Sequence, residues 1–190
     1  ERLKGSSLDH FLGKPSSISA SDGLVVVVRV LDILAAAHAR DIIHRDVKPA
    51  NLLAVLNNGT ITDVKISDFG SVLNLASEVT QVYRVGSLAY MSPEQLDGST
   101  LGCGADIYSL GAVLYHLVAG RPPFEAPTQP ALMHQVFTER PAPLTGLRDG
   151  VPASLDALIQ RALAKEPGDR PANWDEFAQA LSGLVARREV

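Results

Sequence analysis

The sequence predicts an α+β domain that is predominantly α-helical, with one small β-hairpin near its start. Three observations carry that reading. Apolar residues recur at helical spacing through residues 22–40 and through four segments between 104 and 188. Two short strand-type runs, 52–56 and 60–66, flank Asn57-Asn58-Gly59, which has the turn chemistry of a hairpin. A chain of 190 residues that is 46% hydrophobic suffices for one sizeable core, and no internal repeat or low-complexity tract divides it.

The serines and Asp9 of "GSSLDHFLG" can cap a short helix closed by Gly13 and Pro15. From 22 to 40, Leu24, Val27, Val28, Leu31, Leu34, Ala35 and His38 share helical spacing, so the valine-rich run reads as a largely buried helix with Asp22 as its N-cap. The hairpin follows. Residues 71–92 are polar and irregular, and such a long structureless stretch inside a compact domain is usually functional or mobile. "GADIYSLGAVLYHLVAG" (104–120) is apolar almost all round, which predicts a central buried helix. Residues 129–139, 154–167 and 172–188 continue as helices, with Ser154 and Pro171 as start signals.

Composition excludes several roles. A net charge of −4 without a dense basic run argues against a nucleic-acid partner. The single Cys103 cannot form an internal disulfide, which fits a reducing, cytoplasmic compartment. The greasiest stretch, 24–39, is shorter than a bilayer-spanning helix and carries Arg29 and Asp32, so no membrane segment is expected. Glu1 opens a polar stretch with none of the order of a secretory leader.

The chemistry concentrates in "IIHRDVKPANLL" (42–53). Asp46, Lys48 and Asn51 lie on the loop entering one hairpin strand, and Asp68 lies just beyond the other. A hairpin brings those ends together, so two carboxylates, an amide oxygen and an ammonium converge. Phosphoryl transfer uses such a set. Mg²⁺ takes hard oxygen ligands, which Asn51 and Asp68 can supply. Asp46 can accept and orient a hydroxyl nucleophile while Lys48 neutralises phosphoryl oxygens. Taken alone, either cluster would read as a solvated turn.

"HRDVKPAN" followed by "DFG" after one hairpin resembles the catalytic and metal-binding loops of eukaryotic-type (Hanks-type) protein kinases. "GSLAYMSPE" (86–94), "DIYSLG" (106–111), "GRPPF" (120–124) and "DRP" (169–171) continue the resemblance in order over almost the whole chain. Lys48 within "KPAN" is the serine/threonine form, and the "SPEQLDG" and "KEPGDRP" stretches resemble bacterial members. The resemblance implies a protein serine/threonine kinase that transfers the ATP γ-phosphate to a protein hydroxyl. Its cofactors would be ATP and Mg²⁺, with Mn²⁺ as a possible substitute.

By the same resemblance His44 and Arg45 support the loop, and Asp106 holds their backbone. Glu94 pairs with Arg170, and Ser87 touches the catalytic Asp46 and Lys48. Leu3 and Leu53 line the adenine pocket, beside Lys48, Asn51 and Asp68 at the phosphates and metal. Ser71, Ser77 and Thr80 read first as parts of a solvated polar loop, and Arg45 is available to a phosphate on any of them. The remaining histidines, His10, His38, His116 and His134, read as single core or surface residues.

One half of such a site is missing from these residues. No G-x-G-x-x-G occurs, and no "VAIK"-like strand precedes residue 44. Glu1-Arg2-Leu3 resembles the hinge, so residues 1–190 are expected to form the C-lobe, with the N-lobe encoded upstream. Fixing reactants supplies roughly 7–11 kcal/mol of barrier reduction. Loss of the phosphate-fixing elements should cost at least about 10³-fold, so the chain alone is expected to be inactive and to expose apolar surface around Leu3, Leu53 and Ile66. The alternatives are a kinase-like regulatory or binding module without catalysis, and a small-molecule phosphotransferase of similar fold.

Overall fold

The computed structural model describes residues 5–12, 20–57, 60–67 and 85–186. Helix α1 spans Ala20–His38. Its valines have a strand propensity that is overridden by burial: Val26, Val27, Val30, Leu31 and Leu34 are all at most 1% exposed, a spacing that only a helix aligns on one side. The helix starts two residues before Asp22, which therefore stands in the first turn and not at the cap.

Strands β1 (Ser6–Ser7), β2 (Leu52–Asn57) and β3 (Thr60–Ile66) form an antiparallel sheet in that order. Leu52 opposes Ile66 and Ala54 opposes Val64, and these residues face the core. The register shifts between Val55 and Leu56, where Asp63 and Ile61 are the partners and Thr62 is the extra residue. This bulge resets the alternation, so Ile61 and Val64 both turn inward although they are three apart. A hydrogen bond from Thr62 Oγ1 to the Val55 carbonyl spans it at 3.2 Å. Residues 58 and 59 of the expected turn lie outside the described residues. The segment at 6–12 differs from the expected helix: a two-residue strand on Leu53 and Ala54 leads into a single 3₁₀ turn, Leu8–His10.

The other helices are α2 (Val85–Leu88), α3 (Pro93–Asp97), α4 (Cys103–Ala119), α5 (Gln129–Thr138), α6 (Ala153–Ala162) and α7 (Trp174–Ala186). Residues 105–115 of α4 are all buried, as its uniformly apolar composition requires. α1 and α6 pack against it, and α7 packs in turn against both, contributing Trp174, Phe177 and Leu181 to the same core as Leu158 and Ile159 of α6. At Gly111 the α4 and α6 backbones approach so closely that an added Cβ would stand 2.8 Å from Ala162 Cβ. Helix α4 ends on Gly120 at φ 75°, the left-handed cap conformation glycine tolerates. α6 starts at Ala153 after Pro152, one residue ahead of Ser154. α7 starts at Trp174, where Asn173 Oδ1 accepts the Glu176 N–H at 2.9 Å, so Asn173 and not Pro171 is the capping side chain.

Among the described residues no helix is long and apolar enough to cross a membrane. Among the described residues, the large apolar side chains with substantial exposure are Leu56 and Leu147, each 40%. Ile66 is 8% exposed and Leu53 is half-buried. Of the apolar surface expected around Leu3, Leu53 and Ile66, Ile66 packs into the core and Leu53, beside Ser7 of β1 in the sheet, stays partly exposed; Leu3 falls outside the described residues.

Candidate active site

The loop between α1 and β2 is built around a buried carboxylate. Asp106, in the first turn of α4 and 0% exposed, accepts hydrogen bonds from His44 N (2.7 Å) and Arg45 N (2.8 Å). His38 Nε2 at the end of α1 donates to it at 2.9 Å. Three donors offset much of the cost of burying one carboxylate. They also fix the loop to two helices at once.

Arg45 is held at φ 68°, the left-handed region that costs a non-glycine residue of order 1–3 kcal/mol. Lys48 Nζ donates to both Asp46 carboxylate oxygens at 2.8 Å. Asn51 Nδ2 donates at 2.8 Å to Asp46 Oδ2 and at 2.8 Å to the Asp46 carbonyl. Pro49–Asn51 forms one 3₁₀ turn, whose fixed proline φ suits the tight return that brings Asn51 back to Asp46.

The loop is tied to the end of β3. Ser67 N donates to the Asn51 carbonyl at 2.9 Å, and His44 Nε2 donates to the Ser67 carbonyl at 3.0 Å. The residue preceding Asp68 is thus anchored beside Asn51, while Asp68 itself lies outside the described residues. Leu53 is on β2 opposite Lys65. Ser87 is half-buried in α2, and among the described residues it makes no hydrogen bond to Asp46 or Lys48.

The metal question can be put to Asn51. Its amide nitrogen is fully engaged with Asp46, so its Oδ1 is the atom left to offer a hard cation, and the side chain is only 5% exposed. That donor fits Mg²⁺. Among the described residues no three His, Cys, Asp or Glu side chains cluster around one metal position.

A second buried charge lies behind the loop. Arg170, 1% exposed, donates to Glu94 Oε1 at 2.6 Å and Oε2 at 2.9 Å, and also to the carbonyls of Gly104, Ala164 and Lys165. Its guanidinium stands over the Tyr108 ring, 5.0 Å from the centroid. Burial would raise the Glu94 carboxyl, but the Arg170 hydrogen bonds and charge outweigh it and hold the group below its usual range.

Two pairings were not legible as sequence. In the sequence His38 stands as a lone histidine, yet it is a partner of Asp106, 68 residues away; no local pattern encodes such a contact. Tyr90 and His116 stack, with Tyr90 Oη and His116 Nδ1 2.7 Å apart. Burial lowers the His116 pKa and raises that of Tyr90, where Asp9 and Glu125 add repulsion, so the tyrosine donates to a neutral imidazole.

Residues 1–182 match the protein kinase domain family. The chain belongs to that family. Serine/threonine-protein kinase Pkn1 of Myxococcus xanthus is 38% identical over 98% of the chain, and the match covers 27% of that relative. Serine/threonine-protein kinase PknB of Mycolicibacterium smegmatis is 40% identical over 89% of the chain and 28% of its own length. PknB of Mycobacterium tuberculosis is 34% identical over 97% and 29%. The chain thus spans under a third of these curated relatives. Its kinase fold is the predicted one, helix-rich with a small antiparallel sheet.

Proposed function

We propose that these residues form the large lobe of a protein serine/threonine kinase that transfers the ATP γ-phosphate to a protein hydroxyl. One observation carries the reading: the Asp46 carboxylate is gripped by Lys48 and Asn51 on a loop whose backbone is itself anchored to Asp106. Such preorganisation is the main protein contribution to phosphoryl transfer, where positioning and charge dominate.

In this reading Asp46 orients the acceptor hydroxyl and takes its proton. Lys48, already within 2.8 Å of both oxygens of Asp46, neutralises charge on the transferred group. Mg²⁺, or Mn²⁺ in its place, would supply charge neutralisation at the nucleotide phosphates; Asn51 and Asp68 would hold it. Ser87, Leu3 and Leu53 take the acceptor-side and adenine-side roles that the family resemblance implies. The arrangement requires an N-lobe with its Gly-rich loop and Lys-Glu pair, and a cytoplasmic setting supplies both ATP and Mg²⁺. Among the described residues Arg45 Nε is buried without a hydrogen-bond partner. That cation is a candidate counter-charge for a phosphate on Ser71, Ser77 or Thr80.

The test is full-length protein incubated with γ-labelled ATP, Mg²⁺ and protein acceptors, followed by phosphoamino-acid analysis. Label on serine or threonine is expected. Label confined to small-molecule hydroxyls, or none in any acceptor, would overturn the assignment.

A further inference from the structure

Gln95 joins two parts of the molecule that the sequence keeps 50 residues apart. It is the third residue of α3, and its side-chain Oε1 accepts from Ser92 N at 3.1 Å and from Ser92 Oγ at 3.2 Å. A backbone N–H can only donate, so the amide oxygen must face Ser92 and the amide nitrogen must face away. That nitrogen donates to the Arg45 carbonyl at 2.6 Å, and a carbonyl can only accept. Both ends of the amide are therefore fixed by partners that admit one orientation.

The Arg45 carbonyl belongs to the peptide unit that carries Asp46. On the other side of that unit, Asp46 N donates to His44 Nδ1 at a long 3.3 Å. Arg45 N is held by Asp106 Oδ1 at 2.8 Å. Arg45 itself is left-handed at φ 68°. A non-glycine residue stays in that region only where its surroundings hold it. Of the bonds on the Arg45–Asp46 peptide, the one from Gln95 is the shorter.

We propose that Gln95 is a positioning residue for Asp46: its amide N–H holds the strained Arg45–Asp46 peptide and so aims the catalytic carboxylate. The proposal rests on Asp46 being the hydroxyl-orienting group argued above. The structural role of Gln95 as helix cap uses only its oxygen, whereas the positioning role uses only its nitrogen. That division makes the two separable. It also couples the orientation of Asp46 to the placement of α3, which directly follows the 85–91 segment.

Gln95→Glu keeps an acceptor for Ser92 and loses the donor to Arg45; Gln95→Met, of similar length, loses both. In the full-length protein, the proposal predicts that both variants lose kcat by about 10²-fold, the scale of an ångström-size misplacement, with KM for ATP within about twofold of the parent. Gln95→Met lowers the melting temperature and Gln95→Glu does so much less. A Gln95→Glu enzyme with parental kcat, or a loss that scales with melting temperature across the two variants, overturns the positioning role. Asp46→Asn in the same assay separates the premises. If it stays active, the assignment of Asp46 fails; if it is dead while Gln95→Glu is unimpaired, only the role of Gln95 fails.

Discussion

Single residues in this structure are worth most where they carry buried charge. Arg170 has five N–H donors and finds five acceptors, two on Glu94 and three on backbone carbonyls. Removing one partner leaves the other charge buried and unpaired, so Glu94→Gln should cost about 3–5 kcal/mol in urea unfolding. The pH dependence has a definite sign. Glu94 and Asp156 are both held below their usual ranges, Asp156 because hydrogen bonds from Leu144, Thr145 and Gln160 outweigh burial. A lowered carboxyl contributes stability above its unfolded value, near 4.5 for Glu94 and 3.8 for Asp156, and loses it as pH falls further. Glu94 and Asp156 therefore add no slope near neutrality, where the lowered His116 pKa makes stability fall as pH drops below 6.5, and their own loss steepens the decline below pH 4.5. The gap between the parent and Glu94→Gln should close in the same window; a gap unchanged at pH 3 would contradict this account. At this scale the loop "HRDVKPAN" was legible because its polar residues are consecutive. The left-handed Arg45 and the His38–Asp106 bond were not, since both depend on partners far along the chain.

At the scale of elements, periodicity located every long helix and both hairpin strands to within a few residues at most ends. The starts and stops moved because caps are decided by geometry: Asn173 takes the cap of α7, and α6 stops at Ala162, well short of residue 167. β1 was invisible, since two residues carry no alternation. The bulge at Val55–Leu56 was equally hidden, as it appears only once two strands are paired. The α4–α6 contact offers a sharp test of packing. Gly111→Ala gains about 1 kcal/mol of helix propensity but sets a methyl 2.8 Å from Ala162 Cβ. Overpacking of this kind costs about 1–3 kcal/mol, so a net loss of stability is expected by thermal unfolding. Ala162→Gly in the same chain should recover part of it. Two additive losses would show that the contact is not the cause.

For the whole molecule, the proposed reading makes these residues one wall of a nucleotide cleft. The bonds that organise Asp46 are internal to these residues: Asp106, His38, Asn51 and Lys48 are all present. Phosphate fixation by a Gly-rich loop and a Lys-Glu pair is not. The isolated 190-residue chain should accordingly fold, with helix content by circular dichroism, yet transfer phosphate at least about 10³-fold more slowly than the full-length protein. Equal rates from the two would contradict the division of labour between lobes.

The central claim is that Asp46 handles the acceptor hydroxyl, and the most direct test is the turnover of full-length Asp46→Asn. The substitution keeps size and an oxygen for Asn51 and Lys48 but removes the proton acceptor and the counter-charge of Lys48. A fall in kcat of about 10²–10⁴-fold, the range for loss of a general base, with ATP affinity nearly unchanged, is the predicted result. Parental kcat in that variant would contradict the account.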